Sequence, residues 1–152
     1  KMTFEPCLND EQFFKILPDD WNAYILTFWE DFKSTTACYV LVEDNQVIGG
    51  GLVFSKSPPD MWYAIDEANK WFDKGYLYLG FIFVLEEKRH QNLGSVWLNQ
   101  LKAKFPNQKY WLTIEDLKLD RFYVKNDFKK VKSLFNQDQE EWLYVYEPNA
   151  LI

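Results

Sequence analysis

Cysteine and histidine are scarce in this chain: two cysteines, Cys7 and Cys38, and one histidine, His90, among 152 residues. Two thiols do not build the disulfide framework of a small secreted domain. No CxxC pair and no His/Cys cluster offers the spacing of a metal site, so no metal is expected. Long apolar runs are absent as well. No stretch approaches the roughly 18–20 residues that a spanning helix needs, and no secretory leader pattern opens the sequence. The expectation is a cytoplasmic protein without a membrane partner. Positive charge is in the minority: 17 Lys and Arg stand against 23 Asp and Glu, for a net charge of −6. With no basic stripe, nucleic acid is not expected as a partner. A phosphate-binding loop with its lysine and a dinucleotide fingerprint are both missing, which argues against two common nucleotide-binding classes.

What is present is globular. Hydrophobic residues make up 47% and charged residues 26%, a balance that can bury a core. The simplest reading is one domain over residues 1–152. Aromatics are dense at 19%. Most are read as core, because large rings bury much apolar area.

Hydrophobic periodicity gives a mixed order of strands and helices. A first strand over 2–5 ends at Pro6, and Asn9 caps a short helix through Leu17. A longer helix starts at Asp19 or Asp20 and shows Trp21, Tyr24, Ile25, Phe28 and Phe32 on one face. Strands over 37–42 and 46–54 are joined by Glu43-Asp44-Asn45, a hairpin signal. Gly49-Gly50-Gly51 inside the second of these predicts a bulge or a close backbone approach. Residues 58–75 read as an inserted helix. Pro58-Pro59-Asp60 starts it, Met61, Ile65, Ala68 and Phe72 form its face, and Gly75 stops it. It either covers the sheet or walls an acceptor site with Trp62, Tyr63 and Trp71. Later strands are expected over 76–84 and 109–114, and near 128–135 and 142–146, the last two joined by 136–139.

The most informative stretch runs from Val84 to Leu98. An apolar strand enters a polar loop that holds Arg89, His90, Gln91 and Asn92, and a helix then opens with Leu93, Gly94 and Ser95. Leu93, Val96, Trp97, Leu101 and Phe105 lie on one helical face. A helix start leaves several backbone N–H groups without intrahelical partners and carries partial positive charge. Small residues there let a phosphate or pyrophosphate approach the main chain.

The same stretch resembles motif A of the GNAT family of acyl-CoA-dependent N-acyltransferases. That motif reads Val, four residues, Arg or Gln, two residues, Gly, one residue, Gly or Ala. Val84, Arg89, Asn92 and Gly94 occupy those positions, with Asn92 where the family usually has Gly. Asn tolerates positive φ, so the loop can keep its shape. Residues 116–128 resemble motif B. Phe122-Tyr123 and Phe128 match, while Asp116 replaces the family's Asn and Asp127 its Gly. Asp116 remains a good N-cap.

The resemblance implies an α/β GNAT-like fold: a central mixed, mostly antiparallel twisted sheet of about six to seven strands with flanking helices. It implies an N-acetyltransferase that uses acetyl-CoA as cosubstrate. Cofactor contacts are then expected from Ile82, Phe83, Val84, Arg89, His90, Gln91, Asn92, Leu93, Gly94, Ser95 and Asp116, with the pantetheine arm pairing strand-fashion along 82–84. Tyr123 is the expected general acid toward the leaving thiolate, since a phenol stays protonated at neutral pH. The general base stays open: residues 76–84 contain no carboxylate, Glu115 and Asp116 end the fifth strand near the cleft, Glu43 lies on a hairpin tip, and a water relay is the other route. The acceptor is an amine-bearing small molecule or peptide, and the protein a monomer or homodimer. The alternative is a catalytically weak CoA-binding regulatory or interaction domain of the same fold, for which the replaced glycines at 92 and 127 and the missing carboxylate on 76–84 speak.

Overall fold

A computed structural model describes residues 1–148. Residues 149–152 of the expected 1–152 domain lie outside the described residues. In chain order the elements are β1 (Met2–Pro6), α1 (Asp10–Phe14), α2 (Asp19–Leu26), α3 (Trp29–Phe32), β2 (Thr36–Glu43), β3 (Gln46–Phe54), α4 (Ile65–Asp73), β4 (Tyr76–Val84), α5 (Leu93–Lys104), β5 (Lys109–Ile114), α6 (Asp120–Lys125), β6 (Lys129–Asn136) and β7 (Gln139–Tyr146). The strands form a seven-stranded sheet in the order β1-β2-β3-β4-β5-β7-β6. Pairing is antiparallel in β1–β2, β2–β3, β5–β7 and β6–β7, and parallel in β4–β5. This is the mixed, mostly antiparallel α/β architecture that the sequence implies.

The chain divides into two compact units, each assembled from two separate segments. The first takes Lys1–Phe54 and Leu79–Leu101; the second takes Ser55–Tyr78 and the chain from Lys102 onward.

In the first unit, Asn9 caps α1 by accepting from the Glu11 N–H at 3.1 Å. Two helices are shorter than their apolar pattern predicts. The N–H groups of Ile16 and Leu17 bond three residues back, to Phe13 and Phe14, so α1 tightens and stops ahead of Pro18. The expected long second helix breaks into α2 and α3. There the N–H groups of Thr27 and Phe28 reach the carbonyls of Tyr24 and Ile25, and the Thr27 hydroxyl also donates to Tyr24 O at 2.6 Å. The β2–β3 turn has Asp44 and Asn45 at φ 52° and 64°, the pair of left-handed residues that a tight hairpin requires. Both readings of the glycine run hold. The register slips between Leu41 and Val42, skipping Ile48 as a bulge. A Cβ on Gly50 would stand 2.7 Å from Tyr39 O and 2.8 Å from the Phe13 ring.

In the second unit, Tyr76–Tyr78 pair with Lys109–Trp111, and β5 then pairs along its length with β7. Trp111, Tyr110, Tyr144 and Leu143 are fully buried among these strands. The inserted segment is helical, but not as one helix. A 3-10 stretch, Pro59–Ala64, precedes α4. Met61, Ala68 and Trp71 are its buried residues, while Ile65 is exposed. Its start lacks a side-chain cap, which favours the tighter first turns.

The buried face of α5 is Leu93, Ser95, Trp97, Leu98 and Leu101. Phe105, expected on that face, falls past the helix end and is exposed, because a residue before proline is pushed out of helical conformation. Among the described residues, no helix is long and apolar enough to cross a membrane.

Candidate functional site

The end of β4 and the loop behind it are shaped by main-chain geometry. Phe81 lies at φ 56°, inside a strand. A bulky side chain rarely adopts this conformation, at a cost of about 1–3 kcal/mol. Its ring is locked among Trp21, Phe28 and Phe54, with centroids 5.7, 6.4 and 6.3 Å away. Packing therefore holds the strained backbone in place. Such a residue re-aims peptide groups out of the strand ladder. Ile82, Phe83 and Val84, which follow it, are all half-buried.

A short 3-10 turn, Glu86–Lys88, carries the chain from β4 toward α5. Lys88 Nζ bonds the Glu43 carboxylate at 2.7 Å and pins the turn to the β2–β3 hairpin. This pairing lowers the Glu43 pKa from its ordinary value and raises that of Lys88. Arg89 lies back along the strand end. Its Nε donates to the Val84 carbonyl at 3.1 Å and its guanidinium sits 5.1 Å from the Phe83 ring centroid. His90 and Asn92 take left-handed φ values of 66° and 62°. Asn92 thus performs the backbone role that a glycine would. The first main-chain bond of α5 runs from Val96 N to Asn92 O, so the N–H groups of 93–95 precede the intrahelical ladder. Arg89, His90, Gln91 and Asn92 are exposed, Gly94 is half-buried, and Leu93 and Ser95 are buried. Within this unit, the sequence-predicted residues from Ile82 to Ser95 are thus contiguous.

Asp116 and Tyr123 belong to the second unit. Asp116 is an N-cap, as its chemistry predicts: it accepts from the Lys118 N–H at 2.9 Å ahead of the turn Leu117–Leu119. Tyr123 is buried on α6, with its ring against Phe122, Phe128 and Tyr144 at 4.9, 5.5 and 6.0 Å. Desolvation raises its pKa to about 12. It is a phenol that keeps its proton at any physiological pH. Asp127, the second glycine replacement, adopts φ 69°, and the Phe128 N–H closes back onto Tyr123 O at 3.0 Å.

Sequence reasoning missed a second cluster in this unit. The Tyr63 hydroxyl donates to Glu141 Oε1 at 2.6 Å, and Glu141 is buried. Burial raises the Glu141 pKa, with the Tyr63 bond opposing the rise. Asp60 shares this field. It is solvent-accessible, yet enough protein surrounds its carboxyl that desolvation, with smaller contributions from Glu141 and Glu115, lifts its pKa to about 6. Buried Tyr78, bonded to Thr113, is pushed well above its ordinary value chiefly by desolvation, with Asp60 adding to the rise. An exposed carboxylate poised near neutrality can exchange protons with a bound molecule. The sequence signals were Glu115 at the end of β5 and Tyr63 on the inserted segment. Asp60 was visible there merely as a helix-start residue.

Similarity to known proteins identifies the family and the fold. The Acetyltransferase (GNAT) family profile matches residues 6–128. No curated protein matches the chain. Among solved structures, a GNAT family acetyltransferase from Elizabethkingia anophelis with acetyl-CoA bound superposes with a TM-score of 0.60 at 14% identity, covering 96% of this chain and 97% of that one. A GNAT-family acetyltransferase from Staphylococcus aureus gives 0.65 at 13%, covering 97% and 99%. An acetyltransferase from Thermus thermophilus gives 0.65 at 12%, covering 97% of both. At these identities the structures speak for the fold, and the profile speaks for the family. The chain belongs to the GNAT family of acetyltransferases.

Proposed function

We propose that this protein is an acetyl-CoA-dependent N-acetyltransferase that moves the acetyl group onto a primary amine by direct attack. The observation that carries the reading is the junction of β4 and α5. There a strained Phe81 and a left-handed Asn92 lead into the positive end of α5, an arrangement suited to holding an anion on main chain behind a strand end. The family match and the acetyl-CoA held by the Elizabethkingia anophelis protein support it.

In this reading the pyrophosphate lies on the main chain of 90–95, with Arg89 adding charge. The pantetheine arm pairs with Ile82, Phe83 and Val84, and a backbone N–H of that stretch stabilises the oxyanion. Asp116 serves the cofactor side by fixing the turn ahead of α6. The amine must be neutral to attack. Asp60, ionised above about pH 6, takes its proton. Tyr123, protonated at working pH, gives a proton to the departing CoA thiolate. The acceptor is an amine-bearing small molecule or peptide, and the protein acts without metal, membrane or nucleic acid, as a monomer or homodimer in the cytoplasm.

The alternative, a CoA-binding regulatory domain, drew on the replaced glycines. Asn92 and Asp127 both take the left-handed backbone that glycine would supply, so the glycine argument falls away, and the absence of a carboxylate from β4 is what still favours the alternative. The test is direct. Saturating acetyl-CoA should raise Tm by mass action, and a broad amine screen read by thiol release should yield an acceptor. No Tm shift in folded protein refutes both readings. Binding without transfer to any amine favours the regulatory one.

A further inference from the structure

Cys7 and Cys38 do not appear in the chemistry above, yet the fold pairs them. The β1–β2 register sets Pro6 opposite Tyr39, and Cys7 continues it, with its N–H donating to Cys38 O at 2.9 Å. The reactive atoms of Cys7, Asp10 and Cys38 all lie within 4.8 Å of one another. Directly opposed residues on neighbouring strands fall within the Cα range that a disulfide spans. The two thiols are unlike. Cys7 is half-exposed and Cys38 is buried. Asp10 is held in place by the Trp29 indole, whose Nε1 donates to its Oδ2 at 3.2 Å.

We propose that Cys7 and Cys38 form a peroxide-reactive dithiol, in which Cys7 is the attacking sulfur and Cys38 the resolving one. The Cys7 thiolate attacks the distal oxygen of a hydroperoxide. The O–O bond breaks, leaving a Cys7 sulfenic acid and an alkoxide, or hydroxide from hydrogen peroxide, which takes up the proton that the Cys7 thiol gave to solvent and departs as alcohol or water. The Cys38 sulfur then attacks the Cys7 sulfur. The S–O bond breaks, and hydroxide leaves with the Cys38 proton as water. One hydroperoxide is reduced by two electrons, and the two thiols become one cross-strand disulfide.

The electrostatics divide the roles in this direction. The hydrogen bond from Cys38 is the largest influence on Cys7 and holds its thiol below the ordinary value, against burial and the nearby Asp10 charge. The same bond, and then burial, push the Cys38 thiol up. The accessible Cys7 thiol, which donates to Asn9 O at 3.1 Å, is thus the easier of the two to ionise, and the buried Cys38 thiol the harder. The loop that the disulfide would close contains α1, α2 and α3.

The test is hydrogen peroxide titration of the reduced protein, followed by alkylation and mass spectrometry. The expected result is loss of both alkylatable thiols, a mass about 2 Da below the reduced chain, one peptide pair linking Cys7 to Cys38, a higher Tm, and reversal by dithiothreitol. Cys38→Ala should stop the reaction at a Cys7 sulfenic acid that dimedone traps. Cys7→Ser should leave Cys38 unreacted. Should Cys38→Ala fail to fold, Cys38→Val fills the buried space and carries the same measurement. Two thiols still fully alkylated after a dose that oxidises free cysteine would overturn the proposal. So would linkage only between chains, or a stoichiometric metal that copurifies on the thiols and shields them.

Discussion

The cradle behind β4 and the cluster around Asp60 are built from different materials. The first is main chain: a left-handed Phe81, left-handed His90 and Asn92, and the opening N–H groups of α5. The second is side chain: two phenols and three carboxyls from the inserted segment, β4, the end of β5 and β7. A backbone site tolerates replacement of its side chains as long as φ is preserved. A side-chain site does not, because each group sets the pKa of the next.

Tyr123→Phe should have the largest effect. It keeps the ring contacts with Phe128 and Tyr144 and removes one hydroxyl. General acid catalysis contributes about a hundredfold or more, so kcat should fall by about that factor while Tm and acetyl-CoA affinity hold. An unchanged single-turnover rate would take the acid role from this residue.

Asp60→Asn should lower kcat/KM by about ten- to a hundredfold and abolish the acidic limb near pH 6. It should also stabilise the protein. The Asp60 pKa is raised on folding, so the folded state binds the proton more tightly than the unfolded chain. Stability is lost as pH rises from the ordinary 3.8 through about 6. Above that window the neutral amide removes the cost of a partly desolvated charge that also faces Glu141 and Glu115, and Tm at pH 7.5 should rise slightly. A fall in both activity and Tm would mark Asp60 as merely structural.

Gly51→Ala probes the scaffold under the cradle. A Cβ there would lie 2.8 Å from the Trp97 ring and 3.1 Å from Ile82 Cγ1. Trp97 has little room to yield, since its Nε1 is bonded to Tyr39 O at 3.0 Å. Urea unfolding should show a loss of about 1–3 kcal/mol, and weaker acetyl-CoA binding should accompany it as Ile82 shifts.

The smallest effects should come from the cradle's own side chains. Arg89→Ala should weaken acetyl-CoA by about three- to tenfold by calorimetry, the loss of one charge beside phosphate. Asn92→Gly should change affinity by no more than about twofold, because glycine supplies the same left-handed backbone. A large loss in Asn92→Gly would show that the cradle is not made of main chain alone.

The cradle was legible in the sequence for the same reason that it is robust. Its parts are neighbours in the chain, and Val84, Arg89, Asn92 and Gly94 announce a strand end, a loop and a helix start at fixed spacing. Asp116 could be read as a cap from its type and position alone. The Asp60 cluster was not legible. Asp60, Glu115 and Glu141 come from distant parts of the chain, and Glu141 sits on β7, which begins earlier than its hydrophobic run indicates. The break between α2 and α3 was hidden because Trp21, Tyr24, Ile25, Phe28 and Phe32 keep helical spacing across it; only the hydroxyl of Thr27 marks the place. Phe81 gave no sign, since its left-handed backbone is imposed by rings from α2, the end of α2–α3 and β3.

The interleaving of the two compact units sets an order for synthesis. When residue 101 has left the ribosome, every residue of the first unit is available, whereas the second has only its shorter segment, Ser55–Tyr78. That segment holds Tyr76–Tyr78, a strand start whose partner, β5, and the neighbouring β7 have yet to be made. The nascent chain therefore exposes an unpaired apolar edge for the time it takes to translate β5 through β7. Slowing that stretch of translation should cost yield, and doing the same earlier should not.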